Sequence, residues 1–226
     1  MKRFVVGITG ASGSLCARSV LRELERHPDV GEIHVVLSGY SMRTINAELG
    51  SRARDEAAAL KALLGTSGAA APAAGGRRAP GGARRAAAAR KTGAKMILHR
   101  ADAMEASISS GSFPTDGMVV VPCSGGTLAA IANGTSANLL QRAGEVTLKE
   151  RRPLILALRE TPLSLVHIEN MRRAALAGAI LYPLMPAFYT GPRSLDDIVE
   201  QFTARIFDLL HLPHRLGTRW GTARQE

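Results

Sequence analysis

Short apolar runs alternate with segments of helical periodicity along most of this chain. Nearly continuous apolar runs predict strands at residues 3–8, 32–38, 95–99, 117–124, 153–160 and 178–186. Apolar residues at helical spacing predict helices at residues 14–26, 42–49, 127–133, 136–149, 164–177 and 194–211. Residues 54–64, "RDEAAALKALL", are a candidate continuation of the helix over 42–49.

This alternation predicts the fold class. Strands that are apolar on both faces and alternate with helices are typical of a parallel sheet covered by helices on each side. In such sheets, ligands bind beyond the carboxyl ends of the strands. Four segments rich in hydroxyls, glycines or charges are therefore expected to meet at one rim: "TGASG" (9–13), "LSGYS" (37–41), "PCSGGT" (122–127) and "LRETP" (158–162). The sequence predicts an α/β fold with a ligand site there.

The stretch "GITGASGS", residues 7–14, is the first candidate for a phosphate-binding loop. Gly10 and Gly13 would let the backbone approach a ligand closely, and the following helix adds the positive end of its dipole. Ser12 and Ser38 can donate hydrogen bonds to phosphate oxygens. The spacing is neither G-x-G-x-x-G nor that of the lysine-bearing phosphate loop, so an ordinary tight turn is the alternative.

A second group of small residues follows the fourth predicted strand. The backbone amides of "SGGT", with the hydroxyls of Ser124 and Thr127, can hold another polar edge of a ligand. The alternative is a plain turn from strand to helix, with Thr127 as the helix cap.

Two charged residues, Arg159 and Glu160, end the fifth apolar strand. Charges at that position are costly unless they serve a ligand or each other. A buried Glu160 would have a raised pKa suited to proton transfer. A structural ion pair between the two residues is the alternative.

Aromatic residues make up only 4% of the chain, yet Phe188 and Tyr189 are adjacent in the loop "PAFYTGP". They are candidates for the wall of a flat or prenyl-like ligand, with the Tyr189 hydroxyl on a phosphate, and packing against the core is the alternative. The six histidines show no H-E-x-x-H pattern, and no metal site is predicted.

Composition narrows the class of protein. The chain has 226 residues, 46% of them hydrophobic, which fits a single globular domain over 1–226. No apolar run approaches the roughly 18 residues of a membrane span, and no signal peptide is recognised, so a cytoplasmic location is expected. Cys16 and Cys123 are too few for a disulfide framework and are expected to be reduced and buried.

Half of the net charge of +10 comes from one segment. Residues 68–90 contain only Ala, Gly, Pro and Arg, including five arginines and no acid. This composition predicts a low-complexity insertion at about 66–92. A role on RNA or on a membrane surface is the alternative, although the segment has no aromatic residue for stacking on bases.

These segments together resemble the flavin prenyltransferases, the UbiX/Pad-type enzymes of the FMN-binding decarboxylase-like superfamily. The resemblance spans nearly the whole chain, in family order: "GITGASGS", "VVLS" followed by "AE", "SISSGSF", "VVVPCSGGTLAAIANG", "NLLQRAGEVTLKERRPLILALRETPLS", "HIENM" and "PLMPAFYTGPRSLDDIV". It implies a three-layer α/β/α fold with a mostly parallel, Rossmann- or flavodoxin-like sheet. It also implies a homo-oligomer, typically a dodecamer.

The resemblance implies a reaction as well. Such enzymes take reduced FMN and dimethylallyl phosphate and join the prenyl group to N5 and C6 of the flavin, with no metal required. The product, prenylated FMN, is the cofactor of a partner UbiD-type decarboxylase in quinone synthesis or aromatic-acid metabolism. No nucleic acid or membrane partner is implied.

The resemblance also assigns roles to individual residues. FMN contacts are expected at Gly10, Ala11, Ser12, Ser38, Ser124, Gly125, Gly126, Thr127 and Arg159. The prenyl phosphate is expected to bind Tyr189, Arg205, Arg142 and Lys149, the last two reaching it from a neighbouring subunit. Catalytic roles are expected for Ser12, Glu48, Lys149 and Glu160, with Glu48 and Glu160 as the acid–base residues.

Two other functions stay open. An FMN-dependent decarboxylase of the same superfamily would need an arrangement of His and Cys that this sequence does not carry. A non-catalytic FMN-binding assembly partner is disfavoured because Glu48, Lys149, Glu160, Tyr189 and Arg205 are all present.

Overall fold

The structure, a computed structural model, describes residues 1–65 and 93–221. The predicted insertion at about 66–92 lies outside the described residues. The strands are β1 (Lys2–Ile8), β2 (Val30–Leu37), β3 (Lys95–His99), β4 (Gly117–Cys123), β5 (Leu154–Leu158) and β6 (Ile180–Leu181). The helices are α1 (Ser14–Arg26), α2 (Ser41–Leu49), α3 (Glu56–Leu64), α4 (Gly125–Asn133), α5 (Leu139–Lys149), α6 (Leu165–Leu176) and α7 (Leu195–Leu209).

The six strands form one parallel sheet in the order β3-β2-β1-β4-β5-β6. The chain starts in the middle of the sheet, builds outward through β2 and β3, and then returns to place β4 on the other side of β1. The connections after β1 and β4 therefore leave the sheet toward opposite faces, which opens a crevice at the carboxyl ends of these two strands.

Both faces of the sheet are covered by helices. Along β1, Phe4, Val6 and Ile8 pack into a core shared with α1, α3 and α7, while Val5 packs into the opposite core with α4 and α5. All four side chains are at most 1% exposed. Because successive strand residues point to opposite faces, an apolar residue at every position is what a doubly covered sheet requires. The predicted three-layer α/β/α fold is confirmed.

Two predicted elements differ from the structure. Residues 42–64 are not one helix, because Gly50 takes a left-handed conformation (φ 63°) after α2 and Asp55 caps the start of α3 by accepting the N–H of Ala58. The sixth strand is limited to Ile180–Leu181. Tyr182 and Leu184 still donate their N–H groups to Leu156 and Leu158 of β5, so the chain stays beside β5 past the end of the assigned strand.

None of the helices in the described part of the chain combines the length and the apolar character needed to cross a membrane.

Candidate active site

A cleft of about 630 Å³ opens at the carboxyl ends of β1, β2, β4 and β5. This volume lies within the roughly 300–1,000 Å³ of typical small-molecule sites. Its lining residues are Gly10, Ala11, Ser12, Ser38, Gly39, Tyr40, Ser124, Gly126, Thr127, Asn138, Gln141, Arg159 and Glu160. All four predicted loops contribute to it, so the predicted convergence at one rim is confirmed.

Glycine is required at two positions of the first loop. A Cβ at Gly10 would lie 2.8 Å from the Cβ of Tyr40, closer than two non-bonded carbon atoms approach. Gly13 has φ 131°, a conformation that residues with a side chain rarely adopt. The glycines thus allow the β1–α1 loop and the β2–α2 loop to close together and form one wall of the cleft.

Glu48, at the end of α2, caps the start of α1. Its Oε1 accepts the N–H of Gly13 at 3.0 Å, and its Oε2 accepts the N–H of Ser14 at 2.7 Å. Burial favours the protonated acid, but hydrogen bonds from Ser12, Ser14 and these amides outweigh it and lower the pKa of Glu48. The carboxylate is therefore ionised and occupies the first N–H groups of α1, where the sequence suggested that a ligand phosphate would bind.

Ser124 forms the start of α4 on the opposite wall. Its Oγ accepts the N–H of Thr127 at 3.4 Å and donates to the Thr127 hydroxyl at 3.2 Å. The cap of α4 is therefore Ser124. The alternative of a plain turn, which had Thr127 as the cap, is wrong on this point. Gly126, beside it, has open space around its Cα, with no atom within 4 Å of an added Cβ.

Arg159 and Glu160 both line the cleft, but neither is buried. The prediction of a buried Glu160 is wrong for the single chain: β5 ends at Leu158, the N–H of Arg159 still bonds the carbonyl of Cys123, and Glu160 lies exposed beyond that point. The alternative of a structural ion pair is also wrong, since within the described residues no ion pair joins the two side chains. Glu160 Oε1 instead accepts the N–H of Thr161 at 3.2 Å.

His167, in the first turn of α6, reaches the same region. Its Nδ1 accepts the N–H of Ser164 at 3.1 Å, so in the neutral ring the proton lies on Nε2. A Cβ added at Gly125 would lie 3.1 Å from His167 Nε2 and 3.4 Å from Glu160 Oε2. Gly125 therefore allows an imidazole N–H and a carboxylate to approach the start of α4 together.

The sequence did not single out Asn138 or Gln141, which also line the cleft, together with Tyr40 of the predicted segment "LSGYS". Asn138 caps α5 by accepting the N–H of Gln141 at 3.0 Å, and Gln141 accepts the N–H of Ala137 at 2.8 Å. An Asn before an apolar helical segment is a recognisable cap signal, but only the fold places that helix start beside Ser124.

Tyr189 and Arg205 lie together in a different cavity of about 400 Å³, here called the Arg205 cavity. It is lined by Tyr189, Gln201, Ala204, Arg205, Asp208, His214, Leu216, Thr218, Arg219 and Trp220, and it shares no lining residue with the cleft. The Tyr189 ring packs edge-on against Trp220, with ring centroids 5.1 Å apart.

Arg142 and Lys149 are both on α5, yet neither lines the cleft or the Arg205 cavity. Arg142 donates to the carbonyl of Ser109 at 3.2 Å and to Glu145 at 3.1 Å, while Lys149 pairs with Glu150. A single chain thus brings the FMN loops and Glu160 together but leaves the four expected phosphate-binding residues outside the cleft.

A further cavity of about 690 Å³ adjoins the cleft and shares Ser38 and Gly39 with it. Several of its charged residues are already engaged in an ion pair or in capping a helix. Arg100 pairs with Asp102 at 2.7 Å, and Asp55 caps α3. The cleft is therefore the better candidate for chemistry, although it is the smaller of the two.

The two cysteines are buried, as predicted. Burial raises the pKa of Cys16 to about 11 and that of Cys123 to about 12, which keeps both thiols protonated at neutral pH. Among residues 1–65 and 93–221, no group of three or more His, Cys, Asp or Glu side chains is placed to hold a metal ion.

Sequence comparison gives a match over most of the chain. The model of the Flavoprotein family matches residues 1–207. A flavin prenyltransferase of Lactiplantibacillus plantarum, LpdB, is 38% identical over 220 residues, which cover 97% of this chain and 98% of the relative.

Two solved structures are similar in fold and sequence. AnUbiX (PadA1), solved in complex with FMN and dimethylallyl pyrophosphate, superposes with a TM-score of 0.76 at 35% identity and covers 99% of both chains. A dodecameric FMN-dependent UbiX-like decarboxylase of Escherichia coli O157:H7 superposes with a TM-score of 0.77 at 37% identity, covering 97% of this chain and 100% of that one.

Proposed function

This chain belongs to the flavin prenyltransferases of the Flavoprotein family, and from that membership we propose that it joins the dimethylallyl group of dimethylallyl phosphate to N5 and C6 of reduced FMN. The observation that carries the proposal is the cleft, in which the loops expected to contact FMN meet the expected acid–base residue Glu160. FMN is a substrate in this reaction, and prenylated FMN is the product.

The residues of the cleft suit FMN. Gly10, Ala11 and Ser12 line it at the end of β1, Ser124, Gly126 and Thr127 at the end of β4, and Ser38 at the end of β2, on the other side of β1. We place the FMN phosphate toward the start of α4 and Arg159, because Glu48 already occupies the first N–H groups of α1. A helix start and a guanidinium together favour a bound phosphate.

The phosphate group of dimethylallyl phosphate gains negative charge as it leaves, and positively charged residues must stabilise it. The C–O bond of dimethylallyl phosphate breaks with its electron pair on the phosphate, and the freed carbon bonds to N5 of the flavin. Tyr189, Arg205, Arg142 and Lys149 are proposed to stabilise that developing charge, and preorganised donors of this kind contribute roughly 3 kcal/mol each.

Proton transfers are assigned to the carboxylates beside the cleft. We propose that Glu160 passes a proton to the departing phosphate. Ring closure adds a proton to C2 of the prenyl double bond as C6 of the flavin bonds to C3, and loss of the proton from C6, which Glu160 helps to remove, then restores the aromatic ring. The hydrogen bonds that Glu48 accepts hold it ionised, so we propose that it accepts a proton in the reaction and does not donate one. It also holds Ser12 in place through the hydrogen bond between the two side chains.

We propose that the active enzyme is a homo-oligomer, with the dodecamer as the expected form. Arg142 and Lys149 lie outside the cleft of their own chain, and so do Tyr189 and Arg205. If these residues bind the same phosphate, another copy of the chain must bring some of them to the cleft. The E. coli O157:H7 protein, at 37% identity, is dodecameric.

From the family alone, we propose that prenylated FMN passes to a UbiD-type decarboxylase. A cytoplasmic location stays a prediction of the sequence. The function itself is tested by anaerobic incubation with reduced FMN and dimethylallyl monophosphate, followed by mass spectrometry of the released flavin. A flavin carrying one five-carbon unit supports the proposal, and unmodified FMN alone overturns it.

A further inference from the structure

The large apolar residues of α6 face outward. Five such side chains, at and just before this helix, are between 38% and 80% exposed and form what is here called the α6 face: Leu163, Leu165, Val166, Ile168 and Leu176. The residues that α6 buries are instead Asn170 and Ala174. A helix on the surface of a folded domain normally shows the reverse arrangement, with its apolar side against the core.

Helical spacing gathers most of the α6 face on one side of the helix. Ile168 and Leu176 follow Leu165 by three and eleven residues, and at 3.6 residues per turn both return to nearly the same side. Arg172 lies on that side too and donates its Nε N–H to Glu169 at 3.0 Å. The outward side of α6 is thus an apolar surface crossed by an ion pair of the helix itself.

The inward side of α6 is fixed by its own contacts. Asn170 Oδ1 accepts from Nδ2 of Asn133, in α4, at 3.0 Å, and Ala174 is buried in the core on this side of the sheet. The helix cannot turn its apolar side toward the sheet without losing these contacts. Large contiguous apolar surfaces of this kind mark sites of interaction with another molecule.

The rest of the chain has no suitable side chains with which to cover the α6 face. Residues 66–92 and 222–226, outside the described residues, contain only Ala, Gly, Pro, Ser, Thr, Gln, Glu, Lys and Arg. None of these residue types brings the large apolar surface whose burial stabilises a contact of this kind. The occupant is therefore expected to come from another molecule.

A second copy of this chain is the occupant that the site calls for. The expected phosphate-binding residues lie outside the cleft of their own chain, so another copy must approach the cleft. The α6 face borders that cleft, because Leu163 follows Glu160 by only three residues. His167 of α6 also lies beside Glu160, since a Cβ added at Gly125 would be 3.1 Å from His167 Nε2 and 3.4 Å from Glu160 Oε2.

We infer that the α6 face is an interface with a second copy of this chain, and that the copy seated there completes the active site beside Glu160. Glu160, exposed in the single chain, lies next to the contact between copies in the assembly. The inference rests on the proposed function, which expects residues of a neighbouring copy at the donor phosphate.

Oligomeric state tests the interface. The double variant Leu165→Gln/Ile168→Gln replaces two apolar side chains by polar ones of similar size at exposed positions, so the fold of the single chain should persist. Sedimentation velocity of the FMN-loaded protein should show association at least about 10-fold weaker than in wild type. Leu195→Gln is the matched control, because Leu195 is an exposed leucine of α7, which packs on the opposite face of the sheet.

Cysteine labelling tests the same face without relying on one variant. Leu163→Cys places a thiol in the α6 face, while Cys16 and Cys123 are buried. Its reaction with a maleimide should be at least about 10-fold slower in the otherwise wild-type oligomer than in the double-variant background. Leu195→Cys should react equally fast in both.

The outcomes for the interface are distinct. Association of the double variant equal to that of wild type overturns the interface, and so does equal labelling of Leu163→Cys in both backgrounds. A wild type that sediments with vesicles of phosphatidylcholine and phosphatidylglycerol, when a double variant of the same oligomeric mass does not, overturns it in favour of a membrane.

Turnover separates this inference from the function it rests on. A dissociated double variant that prenylates FMN as fast as wild type overturns the claim that the second copy completes the site. A wild type that is monomeric and prenylates FMN overturns the whole inference and leaves the reaction standing. If the double variant dissociates but the wild type makes no prenylated FMN, the interface stands and the proposed reaction fails.

Discussion

The carboxylate of Glu48 accepts the backbone N–H of Ser14 at 2.7 Å, which joins the end of α2 to the start of α1 across 34 residues of sequence. Gly13, the residue at the cap position of α1, has no side chain that could do this. Glu48 therefore supplies the missing cap and at the same time holds the loop that carries Ser12.

Replacing Glu48 by Gln should destabilise the fold. The substitution keeps one acceptor but removes the negative charge at the positive end of α1. The free energy of unfolding, measured by urea denaturation, should fall by about 1 kcal/mol. Glu105→Gln, a change at an exposed glutamate in the loop after β3, should alter it by less than about 0.5 kcal/mol. Equal stability of the two variants would refute the capping role.

The same contact predicts how stability depends on pH. Because its hydrogen bonds lower the pKa of Glu48, their contribution is complete above the ordinary glutamate pKa of about 4.3 and is lost as the pH falls through the lower native value. Wild type should lose more stability than Glu48→Gln between about pH 5 and pH 3. Parallel stability curves over this range would show that Glu48 titrates normally.

Gly10→Ala should disturb the cleft wall. The added methyl would meet the Cβ of Tyr40 at 2.8 Å, and since Tyr40 cannot move that atom without moving its backbone, the two loops must separate. We expect a loss of about 1–3 kcal/mol in unfolding free energy and weaker FMN binding. Gly39→Ala, where an added Cβ has open space, is the control for stability. A Gly10→Ala protein as stable as Gly39→Ala would contradict the close contact.

The sequence allowed the sheet, its helices and the rim of the cleft to be predicted because these depend on local pattern. Each strand could be predicted from its apolar run alone, because a strand covered on both sides by helices is apolar on both faces. The break at Gly50 was missed because the helical composition continues past it. The sequence could not show that Glu48 occupies the start of α1, since that contact is tertiary.

The site was predicted less completely than the fold. Glu160 was expected to be buried because it follows an apolar strand, but it lies beyond the end of β5 and is exposed. Asn138 and Gln141 reach the cleft only because α5 starts beside α4. Arg142 and Lys149 do not line the cleft of their own chain, and sequence spacing could not show this because it depends on how α5 packs.

Glu160→Gln should separate binding from chemistry. Amide and carboxylate have nearly the same shape, so the affinity for FMN should change by less than about two-fold, while the rate of prenylation should fall by about 100-fold or more, the effect of removing a general acid–base. Anaerobic single-turnover measurements, with Glu105→Gln as the control, give both quantities. An unchanged rate would refute the proton-transfer role of Glu160.

Subunit complementation tests whether neighbouring copies share a site. Lys149→Ala and Glu160→Gln should each be slow as homo-oligomers. Oligomers formed by co-expressing the two variants should contain some sites with an intact Lys149 and an intact Glu160, because the two residues come from different chains. Their rate should exceed that of either parent. A rate no higher than the average of the parents would indicate that both residues serve the cleft of their own chain.

The most direct test of the central claim is the mass of the flavin after anaerobic incubation of the wild-type protein with reduced FMN and dimethylallyl monophosphate carrying carbon-13 in its prenyl group. Prenyl transfer predicts a flavin heavier than FMN by one labelled five-carbon unit, with release of one phosphate for each flavin modified. A flavin of unchanged mass, from protein shown to bind both substrates, would contradict the assignment of this chain as an active flavin prenyltransferase.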